Sequence, residues 1–146
     1  MKIKLYNGLE LNPIMVTGAH KFTQDANRDC LTFVFPETSL DELDKYFTEL
    51  NCESIIIYSN DTDEEGNSIE VENVHSGYVI RDELIKKDVI IKEAAGAEAS
   101  VTEKRCFVTM AQRTYAEAKL AEIEIQNMDT ALAVAELGVM IAGGIE

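Results

Sequence analysis

Leu31-Thr32-Phe33-Val34-Phe35-Pro36 limits the possible folds more than any other segment. Leu31, Phe33 and Phe35 alternate with Thr32 and Val34. A strand with that period carries a large apolar face, which is stable only when a second layer covers it. Pro36 ends the run. The same period recurs in Lys2-Ile3-Lys4-Leu5, with the lysines turned out and Ile3 and Leu5 turned in. Asn7-Gly8 is a hairpin dipeptide, because both residues tolerate positive φ. Leu9, Leu11 and Ile14-Met15-Val16 resume the apolar pattern, with Pro13 at an edge or a break. Residues 24–29 read as a polar loop between strands.

Further along, Glu53-Ser54-Ile55-Ile56-Ile57-Tyr58 is the near-continuous apolar run expected of a central strand. A loop is expected over 59–68. Ile69 and Val71 alternate with acids, and Ser76-Gly77-Tyr78-Val79-Ile80 reads as another strand. Residues 82–93 lean toward strand through Val89-Ile90-Ile91, and 94–100 form a small-residue loop. Val101 to Met110 is the last strand, with Cys106, Val108 and Met110 on one side.

Two segments carry helical spacing instead. Ser39-Leu40-Asp41-Glu42 has the form of a capping box, and Leu40, Leu43, Phe47 and Leu50 follow on one face, predicting a packed helix over about 39–50. From Thr114 the texture turns to Ala, Glu, Leu and Ile, and Thr114-Tyr115-Ala116-Glu117 is a second capping box. A helix is expected from about 114 to 142, with Gly138, Gly143 and Gly144 as stops and a break at Asn127-Met128-Asp129. The fold class is therefore α+β: six to eight mostly antiparallel strands in a sheet or half-open barrel, one packed helix, and a C-terminal helix. The expected organisation is an α+β domain over 1–111 and a helical appendage over 112–146.

Within that last helix, Ala118, Ala121, Ile125, Met128, Leu132, Ala135 and Val139 are spaced 3, 4, 3, 4, 3, 4, an a/d pattern over three heptads. A second stripe, Leu120, Ile123, Val134, Leu137 and Ile141, lies beside it. One stripe suits packing on a single surface, and two adjacent stripes call for a second. Ile125, Met128, Leu132, Leu137 and Ile141 are thus the candidate interaction residues, and a homo-oligomer, a trimer or another ring, is the expected way to cover them.

Charge narrows the function. The chain has 27 acidic against 13 basic residues, a net charge of −14. Segments 37–53, 61–72 and 114–146 hold 18 of the acids and only Lys45 and Lys119, a net −16 that leaves +2 elsewhere. Such a surface disfavours nucleic acid, whose affinity comes from cations displacing counterions, and it disfavours anionic lipid. No apolar run approaches the roughly 20 residues that span a bilayer. The start, Met1 to Tyr6, lacks the apolar core of a secretory leader. Synthesis and folding in cytoplasm are expected, with Cys30, Cys52 and Cys106 as reduced, buried thiols.

The stretch from Asp61 to Glu72 most resembles a ligand loop. Asp61, Asp63, Gly66 and Glu72 occupy positions 1, 3, 6 and 12 of a calcium loop, with Glu65 at position 5. Glu65 is longer than the usual residue there, the apolar residue falls at position 9, and the flanks read as strands. An exposed acidic hairpin is the expectation. His20 and His75 would make a zinc site only if the fold united them. No glycine-rich phosphate loop, nucleophile elbow or distinct carboxylate pair is present, so no catalytic residue and no cofactor is expected.

Met1 to Phe35, with Asn7-Gly8-Leu9-Glu10-Leu11 and then Asn27-Arg28-Asp29-Cys30-Leu31-Thr32-Phe33, resembles small uncharacterised proteins encoded in prophage tail-gene clusters of Gram-positive bacteria. Val108 to Tyr115 and Ala131 to Gly144 are similar to the endings of such proteins. The resemblance is one of texture; it carries over no catalytic or ligand residue. It implies a non-enzymatic structural or assembly role near a phage tail or baseplate, self-association, contacts with other virion tail proteins, and a place in the virion. An acidic inhibitor or regulator that mimics nucleic acid and binds a basic protein is the alternative.

Overall fold

A computed structural model describes the backbone of residues 1–143 and the side chains of residues 1–135. The chain forms two compact units, Met1–Arg113 and Thr114–Glu146. The first is α+β and contains eight strands: β1 (Lys2–Lys4), β2 (Glu10–Leu11), β3 (Met15–Thr23), β4 (Ala26–Pro36), β5 (Ser54–Thr62), β6 (Ser68–Ser76), β7 (Ile80–Lys92) and β8 (Val101–Ala111). They make two antiparallel four-stranded sheets, ordered β2-β1-β5-β6 and β3-β4-β8-β7, with helix α1 (Leu40–Tyr46) between β4 and β5. The second unit is helix α2 (Tyr115–Gly143).

The alternating segments form the core as their period requires. In the second sheet Leu31 pairs with Met110, Phe33 with Val108 and Phe35 with Cys106, and all six are buried. In the first, Ile3 pairs with Ile57, and Leu5 and Ile55 are buried beside them. Leu43 and Phe47 bring α1 into the same cluster. The Phe47 ring lies 5.2 Å from Phe33 and 5.8 Å from Phe35 in tilted and edge-on contacts, geometries that suit the ring quadrupoles.

Several sequence expectations give way at their boundaries. The helix expected over 39–50 is Leu40–Tyr46. Ser39 is its N-cap but makes no side-chain cap bond. Beyond Phe47, the Thr48 hydroxyl accepts from the Asn51 amide and the Asn51 side chain donates to the Tyr46 carbonyl. These local bonds replace helix, and Leu50 is left exposed. The helix end is closed from outside by Arg81 of β7, whose guanidinium donates to the carbonyls of Asp44 and Phe47 and to the Asp44 carboxylate. The polar loop expected at 24–29 is only the two-residue turn Gln24-Asp25, both at positive φ, so β4 begins at Ala26. The loop expected at 59–68 shrinks to a turn at 63–67. The strand expected over 76–80 is instead the passage between sheets, where Gly77 adopts φ +80°. Only glycine takes that conformation without strain.

Buried Arg28 explains why polar residues 26–29 run as strand. Its guanidinium donates to the carbonyls of Thr23, Gln24 and Gln112, tying the tight turn to the end of β8. The second sheet also curls. A flat sheet would hold β3 and β7 three strand spacings apart, about 14 Å. Yet Thr23 and Lys21 both bond the Asp82 carboxylate, and the Gln24 side chain donates to the Arg81 carbonyl. The two outer strands meet at one end without closing a barrel.

Two predictions follow from these contacts. Phe47→Ala removes a buried ring that packs on Phe33 and Phe35 of β4, and urea unfolding is expected to show a loss of about 3–5 kcal/mol; Leu50→Ala should change stability by less than about 0.5 kcal/mol. Asp82 gives a pH signature. Burial opposes its ionisation, but the hydrogen bonds from Lys21 and Thr23 and the lysine charge outweigh burial and hold its pKa below the usual range. A depressed carboxyl stabilises the fold above its unfolded pKa of about 3.9 and loses that contribution as pH falls through the folded value. Asp82→Ala should therefore cost about 1–3 kcal/mol near neutrality. The gap to wild type should narrow in urea midpoints taken progressively below pH ~4.

Candidate interaction surface

Helix α2 begins as its sequence dictates. The Thr114 hydroxyl accepts from the Glu117 amide at 3.2 Å, and the Glu117 carboxylate accepts from the Thr114 amide at 3.0 Å. This reciprocal pair satisfies two donors that a helix start otherwise leaves open. The helix then runs unbroken through Asn127-Met128-Asp129, where a break was expected. Lys119 pairs with Glu122 at 3.1 Å, three residues on, on the exposed surface. The Thr130 hydroxyl bonds the Gln126 carbonyl one turn back.

Of the candidate interaction residues, Ile125, Met128 and Leu132 are 61%, 73% and 62% exposed. Leu120, Ile123 and Val134 of the second stripe are also half or more exposed. Both apolar stripes are thus exposed over the described residues. Leu137 and Ile141 lie outside the residues whose side chains are described, as do Val139 and Glu136.

The stretch Asp61–Glu72 is the end of the β5–β6 hairpin. Asp61 pairs with Ile69, while Glu72 pairs with Tyr58. Partners across a ladder share a face and successive residues alternate, so Asp61 and Glu72 lie on opposite faces. Asp63 has a structural task instead. Its carboxylate accepts from the amides of Glu65 and Asn67 at 2.9 and 2.8 Å, and its own amide donates to the Asn67 carbonyl. The bonds from Asn67, then those from Glu65 and Gly66, hold its pKa below the usual carboxylate value. Gly66 supplies the φ of +85° that the turn needs. Glu65 lies exposed in the turn. Among the described residues, no three His, Cys, Asp or Glu side chains converge on a common point.

The histidines are not united. His20 on β3 bonds the Asp29 carboxylate at 2.7 Å, and His75 on β6 meets the Tyr78 ring edge-on at 5.9 Å. His20 and Cys30 are near in the β3–β4 ladder, but Cys30 pairs with Ala19 and so lies on the other face from His20. The three thiols are free and buried. Burial pushes Cys52 up to about 12 and raises Cys30, which is the reverse of an activated nucleophile. The Cys106 thiol donates to the Thr38 carbonyl at 3.2 Å.

Sequence reasoning missed Arg28, Arg81 and the Lys21–Asp82 pair. Each lies in a segment whose composition reads as solvated, and only long-range pairing gives it its partners. The one local signal was Arg28 standing two residues before Cys30, in step with the buried face it shares.

With Asp63 occupied by its own turn and Asp61 facing away from Glu72, the hairpin should show no stoichiometric calcium binding. Calorimetry at low ionic strength checks this; saturation with a dissociation constant of roughly 10⁻⁷–10⁻⁵ M, as in sensor-type sites, would contradict it.

No family model, curated protein or solved structure matches this chain.

Proposed function

We propose that this protein is a non-enzymatic structural or assembly component of a phage or prophage tail or baseplate, working by self-association and by binding other virion proteins. The observation that carries the reading is the exposed apolar surface of α2. Six large apolar residues between Leu120 and Val134 are each 50% or more exposed. Ile125, Met128 and Leu132 among them keep the a/d spacing, which suits packing against like helices rather than a single flat surface. Monomers seldom leave so long a contiguous apolar surface in water. Among the described residues no helix is long and apolar enough to cross a membrane, so lipid does not account for it as a span.

The resemblance of the N-terminal and C-terminal segments to tail-cluster proteins supplies the setting, and charge supplies the manner. Glu117, Glu122, Glu124 and Asp129 alternate with the apolar residues along the helix. They keep an unassembled copy in solution and restrict contact to the seam. The seam positions Ala118, Ala121 and Ala135 are small, which allows helices to approach closely and favours a ring of few copies.

Leu132 stands near the middle of the described seam. Leu132→Asp is expected to lower the assembly state in light scattering while the strand signal in circular dichroism and the unfolding of residues 1–113 stay unchanged. Burying each Leu contributes about 1.5–3 kcal/mol per copy, so one substitution is repeated through every subunit of a ring. A wild-type protein that is strictly monomeric at high concentration would overturn self-association. Purified virions without the protein would overturn the tail setting.

A further inference from the structure

The a/d stripe of α2 has two flanks, and their charge is of one sign. With Ala118, Ile125 and Leu132 at a and Ala121, Met128 and Ala135 at d, Glu117 and Glu124 fall at g and Glu122 and Asp129 at e. Ala131 completes the g flank of the described residues. No Lys or Arg stands on either flank. The helix's one cation among the described residues, Lys119, falls at b and pairs with Glu122. Glu117 also serves the helix cap, whereas Glu124 and Asp129 are exposed beside the stripe.

In paired helices the e and g residues of one lie against those of the other, and their charges set partner and orientation. Two copies in parallel register set Glu117 opposite Glu122 and Glu124 opposite Asp129. Turned antiparallel, e flank meets e flank, so Glu122 and Asp129 again face acids. Copies part these acids only by sliding out of step, which gives up a/d contact. The stripe still calls for cover, with Ile125, Met128 and Leu132 exposed. The chain's other helix, α1, has seven residues and a single cation, Lys45, so a second copy offers no helix with basic flanks.

We infer that the preferred partner of this seam is a helix of another protein, apolar at a and d and carrying Lys or Arg at e and g. The inference rests on the reading of α2 as an interaction surface and names what that surface selects. Such a helix covers Ile125, Met128 and Leu132 and sets a base opposite each flanking acid. A copy of the chain offers the same apolar contact with acids opposite acids. Specificity of this kind comes from the repulsion as much as from the attraction.

Synthetic peptides four heptads long, with Ile at a and Leu at d, test this on the full-length protein. One carries Lys at every e and g, and a second carries Glu there. A third has the residues of the Lys peptide in an order that breaks the heptad. Fluorescence anisotropy is expected to show the Lys peptide binding wild type about tenfold or more tightly than the Glu peptide, with the difference shrinking as salt screens the flanks. The shuffled peptide should bind weakly, because charge without an a/d face leaves the stripe uncovered. Glu124→Lys with Asp129→Lys should invert the preference in favour of the Glu peptide. Both positions are exposed, so circular dichroism and the unfolding of residues 1–113 should match wild type. Leu132→Asp should weaken the Lys peptide by about tenfold or more.

Equal binding of the Lys and Glu peptides, equal binding of the shuffled peptide, or Lys-peptide binding that the double-Lys variant leaves unchanged would overturn the inference. A wild type that assembles with itself yet ignores the Lys peptide overturns it too, and leaves self-association standing. A wild type that is monomeric alone yet binds the Lys peptide overturns self-association and supports the inference.

Discussion

A helix of seven residues cannot hold itself together in water, because too few bonds form to offset the cost of its first turn. α1 exists because Leu43 and Phe47 are driven into the space between the sheets, where the Phe47 ring meets Phe33 and Phe35. That contact decides much else. It fixes where the chain leaves β4 and enters β5, which is the crossing from one sheet to the other. It also leaves the carbonyls of Asp44 and Phe47 without helix partners, and Arg81 reaches from β7 to satisfy them. The irregular pairing between Arg81 and Glu83 stands at the same point. The outward turn of Asp82 toward Lys21 and Thr23 begins there too. A single aromatic anchor thus connects the core to the curl of the second sheet.

Electrostatics act at a second level, on what the folded unit does with its surface. Acids gather on α1 and its flanks, on the β5–β6 hairpin and along α2. Where basic side chains occur near them they are used locally: Arg81 with Asp44, Arg113 with Glu53, Lys119 with Glu122. Exposed pairs of this kind contribute little to stability.

The sequence made the fold class legible because its strongest signals are local. Leu31, Phe33 and Phe35, or Cys106, Val108 and Met110, declare a buried strand face by period alone, and Thr114 with Glu117 declares a helix start by chemistry alone. What was hidden depends on distant partners. Residues 26–29 looked like loop because Arg28 and its neighbours are polar, and they are strand because three carbonyls, one of them 84 positions away, receive that guanidinium. Ser76 to Ile80 looked like strand because its apolar residues are core residues. Gly77 turns the chain there, and Tyr78 and Val79 are buried at the crossing instead of in a ladder. The apolar stripe on α2 was legible as spacing; its exposure was not, since the same spacing would serve a buried helix. β3 was the least legible element, because an edge is defined by what fails to pair with it.

The two exposed apolar features differ in the kind of contact they allow. A strand edge has a direction and one open row of hydrogen-bonding groups, so an edge such as β3 has room for one strand only. A helix seam with small residues at alternate turns can be shared among several neighbours, and its number is set by how far the side chains reach. In a chain whose copies repel through a net charge of −14, neither contact can come from general stickiness. Each must be confined to a place where charge is absent or pushed aside. The acids that alternate along α2 flank its stripes, whereas Leu11 to His20 simply omits them. Flanking charge permits approach only in a register that keeps acids apart, and an uncharged edge leaves register to side-chain fit.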